Sequence, residues 1–316
     1  MKRKQSGLRI MSRLIVLVKP LSGFMCLAVL LGVLGFLCAI QITVAGSLTL
    51  LTAAKISGGI AIKTGCICII IFAVLRGFLH YGEQACNHYI AFKLLALIRD
   101  KVFKAMRRLS PAKLEGKDKG NLVSVITSDI ELLEVFYAHT ISPTCIAILT
   151  CLIMLIFIGR YSIWLSLVAL AAYITVGAVI PLVSSRVNKN VGMTYRDGSG
   201  ALSGFVLDSM RGLLESIRYN STDKRLEEMD KKTDELNSLQ NKLKKIEGHT
   251  GAVTDIAIIF FSVAMLLTGI ALYQKGVIGF DGMIVSTVSM MSSFGPVAAL
   301  SGLAGNLTCL LYTSDA

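Results

Sequence analysis

Four polar residues that could bind a charged solute recur at helical spacing in an otherwise apolar part of the sequence. Arg76, His80, Glu83 and Asn87 fall within about 60° of one another on a helix of 3.6 residues per turn, and Gln84 widens the stripe. Such side chains are costly against lipid, so the stripe is expected to face a water-filled cavity or another helix. In a cavity, Arg76 and Glu83 could contact a zwitterionic or anionic solute. Against a helix, they could form an ion-paired seam, unless the helix has already left the membrane.

Another ionisable residue, Asp255, lies within a different apolar run. It either faces the same cavity or is neutralised by Arg211 or Arg218, if the helices cross. The sequence contains neither G-x-x-x-x-G-K-S/T nor H-E-x-x-H, which are the patterns of a phosphate-cradling loop and of a zinc protease helix. Whether the protein takes part in an enzymatic reaction therefore stays open, but this chain alone is not expected to hydrolyse a nucleoside triphosphate.

The elements that position these residues must be membrane helices. Of the 316 residues only 16% are charged, and the mean hydropathy is +0.67, whereas a soluble domain carries about a quarter charged residues. Uncharged runs of at least 19 residues are long enough to cross a hydrocarbon core of about 30 Å. A soluble enzyme, a secreted disulfide scaffold and a nucleic-acid binder are thereby excluded. The sequence predicts an all-α polytopic protein with six spans at 21–50, 60–79, 141–159, 162–184, 251–273 and 283–311.

The distribution of basic residues predicts the orientation. Residues 1–20, 80–140 and 185–250 share one side of the membrane and contain 6, 9 and 12 Lys and Arg, which is 27 of the 32 in the chain. The positive-inside rule places these three segments, including the N-terminus, in the cytoplasm. A basic face beside anionic membrane lipids explains the net charge of +12 without a nucleic-acid partner.

Both long cytoplasmic connections are predicted to be helical hairpins. Segments 80–140 and 185–250 keep apolar residues at three- and four-residue spacing, and each is interrupted near its midpoint by turn and cap residues. Two helices of about 27 residues would reach roughly 40 Å from the membrane and return. The expected tips contain Leu114 and Glu115 in the first hairpin, and Leu213, Leu214 and Glu215 in the second.

This architecture and its local sequence resemble the transmembrane domain of ABC exporters, in particular that of the bacterial exporter subunits for thiol reductants such as cysteine and glutathione. The likeness covers nearly the whole chain. The residues that carry it are His80-Tyr81-Gly82-Glu83, Leu109-Ser110-Pro111-Ala112-Lys113-Leu114, Gly120-Asn121-Leu122-Val123-Ser124, Asp129-Ile130-Glu131-Leu132-Leu133, Ser142-Pro143 and Ser292-Ser293-Phe294-Gly295-Pro296-Val297.

The resemblance implies a multi-pass protein of the bacterial inner membrane that moves a small solute, thiol-like or amino-acid-like, by alternating access. ATP would be bound by nucleotide-binding domains, into which the two hairpin tips dock. A second half-transporter, a different chain rather than a copy, would close the cavity. Family members usually continue into a nucleotide-binding domain after the sixth helix, so residues 312–316 are expected to mark a truncation. A permease with a separately encoded ATPase is the alternative.

The resemblance also links His88 to haem, because some thiol-reductant exporters bind haem through a matching histidine. The arginine that accompanies that histidine corresponds to Gln84 in this chain. A haem- or redox-sensing membrane protein that uses His88 and the cysteines therefore stands as a second class of function. A secondary transporter is disfavoured because long stalks have no purpose without a cytoplasmic motor.

Overall fold

The computed structural model describes residues 21–56, 60–109 and 140–313, with side chains described except at 109, 189 and 301–313. The predicted first tip, with Leu114 and Glu115, and the basic N-terminal segment 1–20 lie outside the described residues. The described helices are α1 (Ser22–Ala53), α2 (Ile62–Leu109), α3 (Ser142–Gly159), α4 (Ile163–Ile174), α5 (Ile180–Arg211), α6 (Leu213–Arg218), α7 (Thr222–Gln274) and α8 (Phe280–Thr313).

Among the described residues, six helical stretches are long and apolar enough to cross a membrane. They lie in α1, α2, α3, α4 with the start of α5, α7 and α8. The all-α polytopic class predicted from the sequence is thereby confirmed. The short connections have local causes: Ser162 accepts a hydrogen bond from the backbone N–H of Trp164 and caps α4, and Gly276 takes a positive φ of 68° between α7 and α8.

Five of the helices share one apolar core, while α2 lies at its edge. The core is built from α1, α3, α4, α7 and α8, and its largest fully buried side chains include Ile40, Ile158, Leu165, Met265 and Met290. Helix α2 packs mainly against α1, and its apolar residues Ile70, Val74 and Phe78 are exposed. Within the part of the chain that the structure describes, most of the surface of α2 therefore has no protein neighbour.

Helix α1 approaches α2 and α3 closely at Gly32. A β-carbon at Gly32 would overlap the end of the Ile146 side chain and lie 3.2 Å from the carboxyl carbon of Glu83. Gly46, on the same helix, has open space at the corresponding position. The two glycines therefore form a matched pair for measuring how tightly this junction is packed.

We expect Gly32→Ala to lower the free energy of unfolding by about 1–3 kcal/mol, because overpacking displaces Ile146 and the Glu83 carboxyl. Gly46→Ala should leave it unchanged or raise it by up to about 1 kcal/mol, since alanine favours a helix over glycine. Thermal or denaturant unfolding of the purified protein in one detergent measures both. Equal effects at the two positions would show that the junction is loosely packed.

The fourth membrane crossing contains an irregular helical turn. A π-helical turn at Thr175–Val179 separates α4 from α5, and Pro181 follows in the first turn of α5. Within this turn, a β-carbon on Gly177 would lie 2.9 Å from the Val297 side chain of α8, beside Pro296. The span predicted at 162–184 is therefore one helical stretch that continues through the π-helical turn. The proline in the next turn is a local irregularity that accompanies the π-helical turn.

Helix α5 leads away from the membrane spans and α7 returns to them. The two helices pack side by side in antiparallel directions and form one hairpin. The hydroxyls of Ser184 and Thr250 are 2.8 Å apart, and farther along a β-carbon on Gly198 would lie 3.2 Å from Leu236. From Ser184 to Arg211 the hairpin extends about 40 Å at 1.5 Å per residue.

Candidate functional site

The polar stripe on α2 divides into a buried half and an exposed half. Glu83 and Asn87 are only 6% and 3% exposed, whereas Arg76 and His80 are exposed. His80 Nδ1 lies 3.2 Å from Glu83 Oε2, and Asn87 Nδ2 donates to Glu83 Oε1 at 3.5 Å. Among the described residues, the basic side chain in contact with the Glu83 carboxylate is therefore His80 and not Arg76.

The buried half faces the junction of α1, α2 and α3. The Glu83 carboxyl lies beside Gly32 of α1 and Ile146 of α3, where the missing glycine side chain leaves room for it. Asn87 Oδ1 has no hydrogen-bond partner in the part of the chain that the structure describes. A buried carboxylate beside an unused amide oxygen leaves acceptors at this junction that could receive a further hydrogen-bond donor or a cation.

The exposed half leaves Arg76 and His80 facing away from this chain. Gln84 is half-buried, and His88 is exposed with its ring stacked beside that of Phe92 at 6.1 Å between centroids. Since Arg76 cannot rest against lipid at low cost, its exposed position is suited either to a water-filled cavity or to a surface at the membrane boundary.

Asp255 is separate from these residues and from the two arginines that could neutralise it. It is exposed on α7, about five residues above the Ser184–Thr250 contact. Arg211 ends α5 and Arg218 ends α6, roughly 45 Å farther along the hairpin at 1.5 Å per residue. The alternative in which Arg211 or Arg218 of this chain neutralises Asp255 is therefore wrong.

The tip of the second hairpin is the separate helix α6. Its Leu213, Leu214 and Ile217 are exposed, Leu214 by 69%, and Glu215 is exposed beside them. Ser216, on the inner side of α6, is buried, and its carbonyl accepts a hydrogen bond from the N–H of Ser221 at 2.9 Å. The tip is thus ordered on its inner side and apolar on its outer side.

A polar clasp, which the sequence did not reveal, joins α5 and α7 close to the tip. The guanidinium carbon of Arg225 and the Nζ of Lys232 each lie 5.4 Å from the centre of the Phe205 ring, and Arg225 donates to Ser209 Oγ at 3.0 Å. The only sequence signal for it is the spacing of Arg225 and Lys232, which places both on one face of α7. An open cleft of about 350 Å³ adjoins the clasp and is lined by Phe205, Asp208, Ser221, Lys224, Arg225 and Glu228.

The chain is similar in sequence to known proteins. The chain is 41% identical over 312 residues to a probable ABC transporter ATP-binding/permease protein of Haemophilus influenzae, an alignment that covers 99% of this chain and 56% of the relative. The glutathione/L-cysteine transport system ATP-binding/permease protein CydC of the same organism is 24% identical over 49% of this chain and 27% of its own length. An ATP-dependent lipid A-core flippase of Shewanella frigidimarina is 29% identical over 39% of this chain and 20% of its own length.

The chain spans about half the length, or less, of these relatives. Residues 21–297 match the family model of the ABC transporter transmembrane region. That range begins with α1, includes the hairpin of α5 and α7, and ends within α8. The six membrane-crossing helices and the family match lead to one conclusion: the chain belongs to the ABC transporter transmembrane region family.

Proposed function

We propose that this chain is the membrane-spanning half of an ATP-driven exporter in a bacterial inner membrane. The observation that carries the proposal is the hairpin of α5 and α7, which extends about 40 Å beyond the span and ends in the exposed apolar residues of α6. An exposed leucine pair at the end of a long lever is suited to dock into a groove on a motor domain. The N-terminus and this hairpin then lie in the cytoplasm, as the basic residues favour.

ATP is used by the nucleotide-binding domains of ABC transporters, and the proposed role of this chain is to convert their closure into movement of the helices. The tips at Leu114 and Glu115, and at Leu213, Leu214 and Glu215, would receive that movement. The nucleotide-binding domain would follow in the same polypeptide, as in relatives whose names join ATP-binding and permease functions, or would come from a separately encoded ATPase.

A second half-transporter is the proposed partner. In this chain α2 packs mainly against α1 and leaves Arg76 and His80 exposed. A partner half on that side would enclose these residues in a cavity and remove the cost of placing them against lipid. The alignments with CydC and with the glutathione/L-cysteine protein CydD of Bacillus subtilis support a partner that is a different chain, because these are two differently named proteins of one type of transport system.

The proposed cargo is a small solute that is thiol-like or amino-acid-like. Two relatives are named for glutathione and L-cysteine transport, and both solutes carry carboxylate and ammonium groups. Arg76 could contact the carboxylate, while Glu83 and Asn87 could accept hydrogen bonds from the ammonium. Gln84 and Asp255 are the further pathway residues of this proposal. The competing cargo is a lipid, as named for the flippase relatives. Transport of lipid without transport of small thiols would favour it.

Haem at His88 receives no support from the geometry. An axial ligand must direct a ring nitrogen at the iron, but the environment shown for His88 is an exposed helix surface beside Phe92. The sensor alternative therefore has less support than transport.

The test is ATP-dependent uptake of radiolabelled glutathione or cysteine into inside-out proteoliposomes that contain the full-length protein and its partner half. We expect uptake with ATP, and background uptake when a non-hydrolysable ATP analogue replaces it. Uptake that continues with the analogue would contradict an ATP-driven mechanism. ATP-driven movement of a different solute would keep the exporter and reject the thiol cargo.

A further inference from the structure

Basic and acidic residues are unevenly distributed along the second hairpin, according to their distance from the membrane spans. We define the root band as residues 184–191 of α5 together with residues 240–250 of α7. It contains five Lys and Arg but one acidic residue, Glu247, whereas the lower part, residues 192–212 and 222–239, contains six basic and eight acidic residues. A stalk that only had to remain soluble would not need this separation. The excess positive charge lies next to the membrane spans.

The two segments of the root band lie at the same height. The Ser184–Thr250 contact joins their upper ends, and the approach of Gly198 to Leu236 shows that the antiparallel register continues below them. The uncharged run that crosses the membrane through α4 and the start of α5 ends at Ser185, directly before Arg186. The root band therefore begins at the membrane boundary and extends about 12 Å along α5 and about 16 Å along α7.

The basic side chains of the root band are accessible. Arg186, Lys242, Lys244 and Lys245 are exposed. The apolar residue Val187 is also exposed beside Arg186, at 57%. Long basic side chains can lay their methylene stems along apolar surface and place their charge among headgroups. The combination of exposed charge and exposed apolar surface at one height suits a membrane interface.

We propose that the root band binds the phosphate headgroups of anionic lipids and thereby holds the second hairpin at a fixed height beneath the membrane. This inference uses the cytoplasmic orientation proposed above but not the identity of the cargo. Docking of a nucleotide-binding domain is a poorer explanation of the band, since the exposed apolar tip at Leu213 lies about 30 Å farther along the hairpin. The mixed charges of the lower part suit that protein contact better.

The test measures phosphatidylglycerol binding to delipidated full-length protein by native mass spectrometry, with phosphatidylcholine as the neutral lipid. Each basic residue near a membrane surface contributes about fivefold in affinity, so Lys244→Gln with Lys245→Gln should weaken phosphatidylglycerol binding roughly 25-fold. Lys224→Gln with Lys231→Gln is the matched control, because it removes two exposed lysines from the lower part of the same helix. This control should bind phosphatidylglycerol as the wild type does. Higher salt should weaken phosphatidylglycerol binding to the wild-type protein.

Three outcomes would overturn the proposal. Equal losses in the two double variants would attribute binding to net charge and not to the root band. Displacement of phosphatidylglycerol by millimolar inorganic phosphate would identify a free anion as the occupant. Unchanged lipid binding together with lost ATPase stimulation in the Lys244 and Lys245 variant would assign the band to a protein contact. The melting temperature in detergent verifies that both variants are folded.

Discussion

Replacing Leu214 with Asp is expected to reduce transport at least tenfold while the membrane part stays folded. Leu214 is 69% exposed at the end of the hairpin, so its replacement removes little packing among the described residues. Burying a leucine in a partner groove contributes about 1.5–3 kcal/mol, and a carboxylate in the same groove would cost more unless it were paired. Transport per ATP hydrolysed, measured in proteoliposomes with the partner half present, gives the coupling directly.

Leu207 supplies the control for this prediction. It is a leucine of α5 that is 50% exposed and lies before the tip, so Leu207→Asp introduces the same charge without altering α6. We expect the Leu207 variant to retain most of the transport per ATP. If both variants lose transport equally, the hairpin surface and not the tip is responsible. If neither loses it, α6 is not the docking element.

The tip itself was predictable from the sequence, because its signals are local. Gly212 interrupts the periodic apolar residues near the midpoint of the hairpin, and Asn220, which tolerates the left-handed backbone, ends the short segment with a φ of 48°. The six membrane crossings were predictable for a similar reason, since length and uninterrupted apolarity are enough to identify them. None of these features depends on which helix becomes the neighbour of which.

The division of the polar stripe could not be predicted, because it depends on neighbours far away in sequence. Helical geometry places Arg76, His80 and Glu83 on one stripe, but only the gap at Gly32 and the position of Ile146 determine that Glu83 turns inward. The contact of Phe205 with Arg225 was equally unpredictable, since the two residues lie on different helices and the whole tip separates them in sequence. A single sequence contains the residues of such contacts but no record of their pairing.

The division of the stripe makes opposite predictions for its two charged residues. Arg76 is exposed, so Arg76→Ala should leave the folded fraction unchanged and reduce transport per folded molecule at least tenfold, because a charge-assisted contact with a carboxylate contributes about 1.5–3 kcal/mol. Glu83 is buried and accepts from His80 and Asn87. Glu83→Ala should therefore lower the folded fraction, since the buried Asn87 amide loses its acceptor at a cost of about 1–3 kcal/mol.

Arg160→Ala is the control for Arg76, because Arg160 is an exposed arginine in the short connection after α3. It should change neither the folded fraction nor transport. Fluorescence-detected size exclusion gives the folded fraction, and uptake of labelled solute divided by that fraction gives the transport. Unchanged transport per folded molecule in Arg76→Ala would remove Arg76 from the pathway. A loss of folded protein in that variant would place Arg76 in an interface with the partner half, because Arg76 is exposed among the described residues.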